Sequence, residues 1–263
     1  MAVRDRDTLF DYAQEWPVRM AVVCRHGVPT HMVMTLCHLV TDVAGAMVMF
    51  HDFMGRDPAT GQARTPVGIQ PAELARRQRT EAERRRSETS LQYWEELVRA
   101  IPTRRFTEPP DKPEPRYWQC WFTSPVMRLA LGAAADRTGA DTSTVLLAAF
   151  GLAMVQVSAN NPAVIRLVAS NRFRPGFADV VAPMSQFGLC VVDAAGLTFD
   201  EVVRRARGRM MSANKHAYYD MYSLAECSAG SPSTGARRST CPSTSTTAGF
   251  SCSYRPKRRP RRR

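Results

Sequence analysis

Residues 16–53 read WPVRMAVVCRHGVPTHMVMTLCHLVTDVAGAMVMFHDF. Two runs in this stretch, 18–24 (VRMAVVC) and 31–37 (HMVMTLC), have strand character. Arg25-His26-Gly27-Val28-Pro29 between them has the chemistry of a turn, so a β-hairpin is predicted. Residues 43–54 (VAGAMVMFHDFM) read as a buried helix. With 31–38 as a strand, His31, Val33, Thr35 and Cys37 share one face, and Met32, Met34, Leu36 and His38 share the other. His38 then closes an apolar stripe at the end of the strand. Asp42 follows in the turn that enters the helix, with Gly45 nearby. A histidine where a strand stops, beside a buried carboxylate, suits a general base or hydrogen-bond donor. A core histidine capped by a turn explains the same pattern.

Working outward, residues 71–99 predict one long helix or two. Its first part, ELARRQRTEAERRR, reads as a solvated charged face. Its last part, LQYWEELV, puts Leu91, Trp94, Leu97 and Val98 on one helical face. The segment 102–116, PTRRFTEPPDKPEPR, holds five prolines, which remove backbone donors and favour extended chain. It reads as a linker or a long exposed crossing between two folded parts. Beyond it, 119–123 (QCWFT) suggests a strand, 125–137 a helix ended near Gly139, and 144–158 an apolar helix with Asp141, Thr142 or Ser143 as N-cap. Residues 163–169 and 187–192 read as strands and 199–216 as an amphipathic helix. Strands alternate with helices, which gives the class α/β.

A chain of 263 residues is one large domain or two modest ones. With 44% apolar and 23% charged residues it is not collagen-like, coiled coil or wholly disordered. The net charge of +12 is unevenly placed. Nine of the 36 basic groups lie in 228–263, which holds no acid, so the body carries 27 basic groups against 24 acids. That near-neutral body argues against nucleic acid as a partner. The tail also lacks Leu, Ile, Val and Met, cannot bury a core, and is expected to be disordered. It reads as a basic arm, a solvated linker, or out-of-frame translation of GC-rich DNA. The last is favoured because the change falls inside what still looks structured. The charged start lacks an apolar signal core, and no apolar run reaches 18 residues, so no membrane span and a cytoplasmic location are expected.

The seven cysteines (24, 37, 120, 190, 227, 241, 252) form no CxxC pair and no metal-ligand spacing, and read as small hydrophobes. No Gly-rich phosphate loop, GxSxG or HExxH is present. Of the five histidines, His26 lies in a turn, His31 starts a strand, and His51 and His216 lie on helices with no partner in sequence.

The surroundings of His38 resemble the condensation domains of nonribosomal peptide synthetases. Those carry an HHxxxDG motif after a hydrophobic strand and before a helix; here it reads Cys37-His38-Leu39-Val40-Thr41-Asp42-Val43. SLQYWEELVRAIP resembles the family's Tyr-Trp helix, and TVLLAAFGLAMVQ a helix of its C-terminal lobe. VASNRFRPGFADVVAPMSQFGLCVVD resembles the segment with an Asn-Arg pair and the strand after it, and FDEVVRRARGRMMSANKHAYYDMY the next helix. The resemblance covers about residues 10–224, five segments in family order.

The resemblance implies a chloramphenicol acetyltransferase-like fold with two lobes and a tunnel between them, here incomplete, with open sheet edges and uncovered apolar faces. It divides the chain into 1–101 (part of the N-lobe, with the motif), 102–118 (crossing), 119–227 (part of the C-lobe) and 228–263 (tail). It implies amide formation between a carrier-bound acyl or aminoacyl thioester and an amine. No cofactor or metal would be bound, and substrates would arrive on the phosphopantetheine of peptidyl or acyl carrier proteins. His38 would orient or deprotonate the amine, or stabilise the tetrahedral intermediate. Asp42 would support the loop by pairing with an arginine, Arg172 being one candidate. Cys37 replaces the motif's first histidine and Val43 its glycine, for which Gly45 stands nearby. A catalytically inactive, truncated remnant of the family and a basic-tail nucleic-acid binder are the alternatives.

Overall fold

The computed structural model describes residues 8–63, 68–102 and 121–229. A hairpin comes first, with β1 (Val18–Arg25) antiparallel to β2 (Val28–Leu36). Its turn is His26-Gly27, both at positive φ (51° and 79°), the handedness that matches strand twist in two-residue hairpin loops. Val18 sits opposite Leu36, Met20 opposite Met34 and Val22 opposite Met32, so one face of the ribbon is apolar throughout.

The strand stops at Leu36, short of the expected end. The Cys37 N–H bonds to the Pro17 carbonyl at 3.0 Å and the residue is buried, while His38 lies exposed in a turn. His38 therefore does not close the apolar stripe of β2; the chain has already left the ribbon.

Helix α1 (Val43–Gly55) forms where expected but is not a buried helix. Gly45 is its one buried residue, and Val43, Met47, Phe50 and Met54, which share a helical face, are exposed. Helices α2 (Pro71–Gln78) and α3 (Glu81–Ala100) are separate, with Thr80 extended between them.

Helix α4 (Pro125–Thr138) starts at the Ser124 cap, whose Oγ accepts from the Met127 N–H, and ends at Gly139 in the left-handed region (φ 61°). Helix α5 (Thr142–Ser158) is capped by Asp141, which accepts from the Thr144 N–H at 2.9 Å. A second antiparallel pair, β3 (Ala163–Ala169) and β4 (Gln186–Val192), is covered on both faces. On one, Ala163, Ile165, Cys190 and Val192 pack with Val145 and Ala148 of α5 and with Val202, Val203 and Ala206 of α6 (Phe199–Lys215). On the other, Val164, Leu189 and Val191 meet Leu91, Trp94 and Leu97 of α3, Tyr219, and Leu224 of α7 (Met221–Ala229). Val98, expected on that face, is 47% exposed. Burial pushes the Cys190 thiol up to about 12, so it behaves as a core hydrophobe.

The proline-rich 103–116 and the tail beyond 229 lie outside the described residues, as do 119 and 120 of the strand expected at 119–123; 121–123 form no strand. Ser228 and Ala229 belong to α7, so helix continues past the change of composition at 228. No single helix among the described residues is long and apolar enough to cross a membrane.

A Cβ added to Gly188 in β4 would overlap the Ala213 carbonyl oxygen and approach its carbon to 2.7 Å, both backbone atoms of α6. Gly188→Ala is expected to lower stability by about 1–3 kcal/mol. Gly208, on the exposed side of α6 with open space around it, is expected to gain about 0.5–1 kcal/mol as alanine. Urea unfolding midpoints of the two variants should move in opposite directions.

Candidate active site

The candidate site is built around Asp42, whose side chain is 3% exposed. The residue is extended (φ −103°) and caps α1, its Oδ1 accepting from the Gly45 N–H at 2.8 Å. The same oxygen accepts from Arg172 Nη2 at 2.7 Å, so Arg172 is the arginine beside Asp42. Oδ2 accepts from the N–H groups of Met184 and Ser185, both at 2.9 Å, and from Ser185 Oγ at 2.8 Å. Burial alone would raise this carboxyl. The bonds from Gly45, Arg172 and Ser185, together with the Arg172 charge, outweigh it and hold the group well below the usual carboxylate range.

Arg172 is fixed from its other side. Nη1 donates to the Phe177 and Val180 carbonyls, and Nη2 also donates to Ala182 O at 3.0 Å. The neighbouring Asn171 is fully buried at φ 58°, and its Nδ2 donates to Met184 O at 3.0 Å and Ala217 O at 3.1 Å. The loop between β3 and β4 is thus folded onto the first turn of α1.

Cys37 sits beneath the turn. Its Sγ lies 3.2 Å from the Tyr12 hydroxyl and faces the Leu39 N–H at 3.5 Å. His38 is exposed above it, with no hydrogen-bond partner for its ring among the described residues. Val43, in the position of the motif glycine, is 78% exposed, and Gly45 is buried against Thr41, Arg172 and Ala182. The structure therefore brings Asp42, Gly45 and Arg172 into contact, and places His38 at the surface of the turn that they anchor. Such an arrangement holds a backbone turn rigidly while leaving one imidazole open to reactants.

Sequence reasoning did not single out Ser185, Met184, Asn171 or Thr41. Asn171 stood in a quoted Asn-Arg pair, but nothing in the local pattern marks Ser185 as a donor to a carboxylate 143 residues away. His216 lies just past the end of α6, not on it, and its ring stacks on that of Tyr93, which no spacing in the sequence marks, with centroids 4.4 Å apart. No three His, Cys, Asp or Glu side chains among the described residues are grouped to hold a metal ion.

A family model described as Condensation domain matches residues 1–236, and the chain belongs to the condensation-domain family. It is similar in structure to the condensation domain of the monacolin K polyketide synthase (17% identity, 83% of this chain and 52% of that one, TM-score 0.68). It is similar also to a condensation domain that mediates chain release from the enacyloxin polyketide synthase (21%, 82% and 44%, TM-score 0.66). A third is the first condensation domain of the calcium-dependent antibiotic synthetase, solved with a substrate analogue (17%, 85% and 52%, TM-score 0.64). At these identities the likeness is one of fold. The chain spans about half the length of the solved structures it matches. No curated protein matches it.

Removing one partner of a buried ion pair costs about 3–5 kcal/mol, so Asp42→Asn should unfold at much lower urea at neutral pH. The folded chain keeps Asp42 ionised to lower pH than the unfolded chain, whose value is near 3.8. The stabilisation is therefore complete above that value and is lost as pH falls through the lower folded-state value. The gap between wild type and Asp42→Asn should be widest at neutral pH and narrow below pH 3.8.

Proposed function

We propose that this chain forms an amide between an acyl or aminoacyl thioester, presented on the phosphopantetheine of a carrier protein, and an amine acceptor. The observation that carries the reading is the pairing of an exposed imidazole, His38, with a turn immobilised through the buried Asp42–Arg172 pair, in a member of the condensation-domain family. The amine nitrogen attacks the thioester carbonyl carbon. A C–N bond forms and, through a tetrahedral intermediate, the C–S bond breaks. His38 takes the proton from the attacking nitrogen and returns it to the departing thiolate. Asp42 is ionised and both of its oxygens are engaged by five donors; its part is to hold the turn. Residues 1–101 would form part of one lobe of the domain and 119–227 part of the other.

A second reading, a noncatalytic member of the family, is favoured by two observations. No side chain among the described residues fixes the His38 ring, and Cys37 replaces the motif's first histidine.

The purified chain is mixed with an aminoacyl-loaded peptidyl carrier protein and a free amine, and amide is followed by mass spectrometry. Turnover that falls at least about 100-fold in His38→Ala supports the catalytic reading. Equal product from the alanine variant removes His38 from the mechanism. No product above the carrier-alone rate with wild type leaves the noncatalytic reading.

A further inference from the structure

The geometry points to Gly45, not the residue after Asp42, as the glycine that positions the motif turn, so that the working pattern in this chain is His38-x3-Asp42-x2-Gly45. The inference rests on the reading of His38 above and concerns a positioning residue. Two donors converge on Asp42 Oδ1, the Gly45 N–H and Arg172 Nη2. The guanidinium reaches that oxygen by crossing the bare Cα of Gly45. A Cβ there would overlap Thr41 Oγ1, come within 3.0 Å of Arg172 Nη2 and within 3.4 Å of the Ala182 N–H nitrogen. Thr41 is itself 4% exposed and its hydroxyl is committed to the Asp42 carbonyl at 3.2 Å, so it has little room to yield. Nothing comparable holds at position 43, where the side chain is 78% exposed and opens the helix. The close approach is needed because Arg172 is held on its far side by three carbonyls, of Phe177, Val180 and Ala182, and cannot back away without leaving them.

The consequence reaches His38 through the backbone alone. Gly45 admits Arg172, Arg172 and the Gly45 N–H fix Oδ1, and the fixed carboxylate sets the path of residues 38–41. A methyl group at position 45 acts on His38 only through that path.

The test compares Gly45→Ala, Val43→Gly, Thr41→Ala and the double variant Thr41→Ala/Gly45→Ala. Each is read by thermal melting, by the pH at which the Asp42 carboxyl carbon titrates in NMR spectra, and by amide formation. Gly45→Ala is expected to melt earlier, to titrate Asp42 at higher pH, and to lose amide formation about 100-fold. Val43→Gly should leave the Asp42 titration where it is in wild type. Thr41→Ala in the Gly45→Ala background removes the worst overlap and should move melting and titration back toward wild type, including where Gly45→Ala alone does not fold. An unchanged Asp42 titration in Gly45→Ala, or a double variant no better than the single, overturns the inference. If wild type makes no amide, the catalytic reading falls, and melting and carboxylate titration still decide the role of the glycine.

Discussion

One carboxylate sets the terms for the structure. Asp42 is out of water and has five donors on its two oxygens: the N–H groups of Gly45, Met184 and Ser185, the Ser185 hydroxyl and the Arg172 guanidinium. A buried charge is tolerable only when it is paired and hydrogen-bonded, so these donors stand or fall together. Four belong to the β3–β4 loop, which also carries Asn171, whose amide grips Met184 and Ala217 from behind. The first turn of α1, the β3–β4 loop and the segment just after α6 are thereby held in one arrangement.

The second tie is apolar and runs through α3. Trp94 meets Tyr219 edge-on and its indole N–H donates to His216 O at 3.2 Å, while the Tyr93 hydroxyl donates to Leu189 O. A helix that precedes the proline-rich segment is thus packed on the sheet that follows it. The charged first part of α3 takes no part in this. Its Arg85 and Arg86 pair with Glu81 and Glu83, and ELARRQRTEAERRR, which spans α2 and the start of α3, is exposed for most of its length, the exceptions being Leu74, buried with Phe177 and Val180, and the Glu83 side chain.

What was legible in the sequence was local. The Asp141 cap, the Gly139 stop, the two strands of the second sheet and the His26-Gly27 turn follow from residues within a few positions of one another. The end of β2 was not legible: the last bond across the ribbon joins the Cys37 N–H to the Pro17 carbonyl, and the turn begins at His38 with no residue type that marks it. The exposure of α1 was not legible either, since an apolar stripe reports what a helix can bury and not whether a surface lies against it. Asp42 and Arg172 were brought together by resemblance, whereas Ser185, a small polar residue in a loop, carried no pattern at all. Gly45 was visible as a nearby glycine, and its contact with Arg172 became visible only once the guanidinium had a path.

The wide sequence separation around Asp42 also has a meaning in time. Ser185 follows Asp42 by 143 positions, so at about 5–20 residues per second a ribosome delivers it roughly 7–29 s later. During that interval the carboxylate is hydrated, its turn is unanchored, and the methionine-lined face of the hairpin and the open ridge of α1 are available to any chaperone waiting at the exit tunnel.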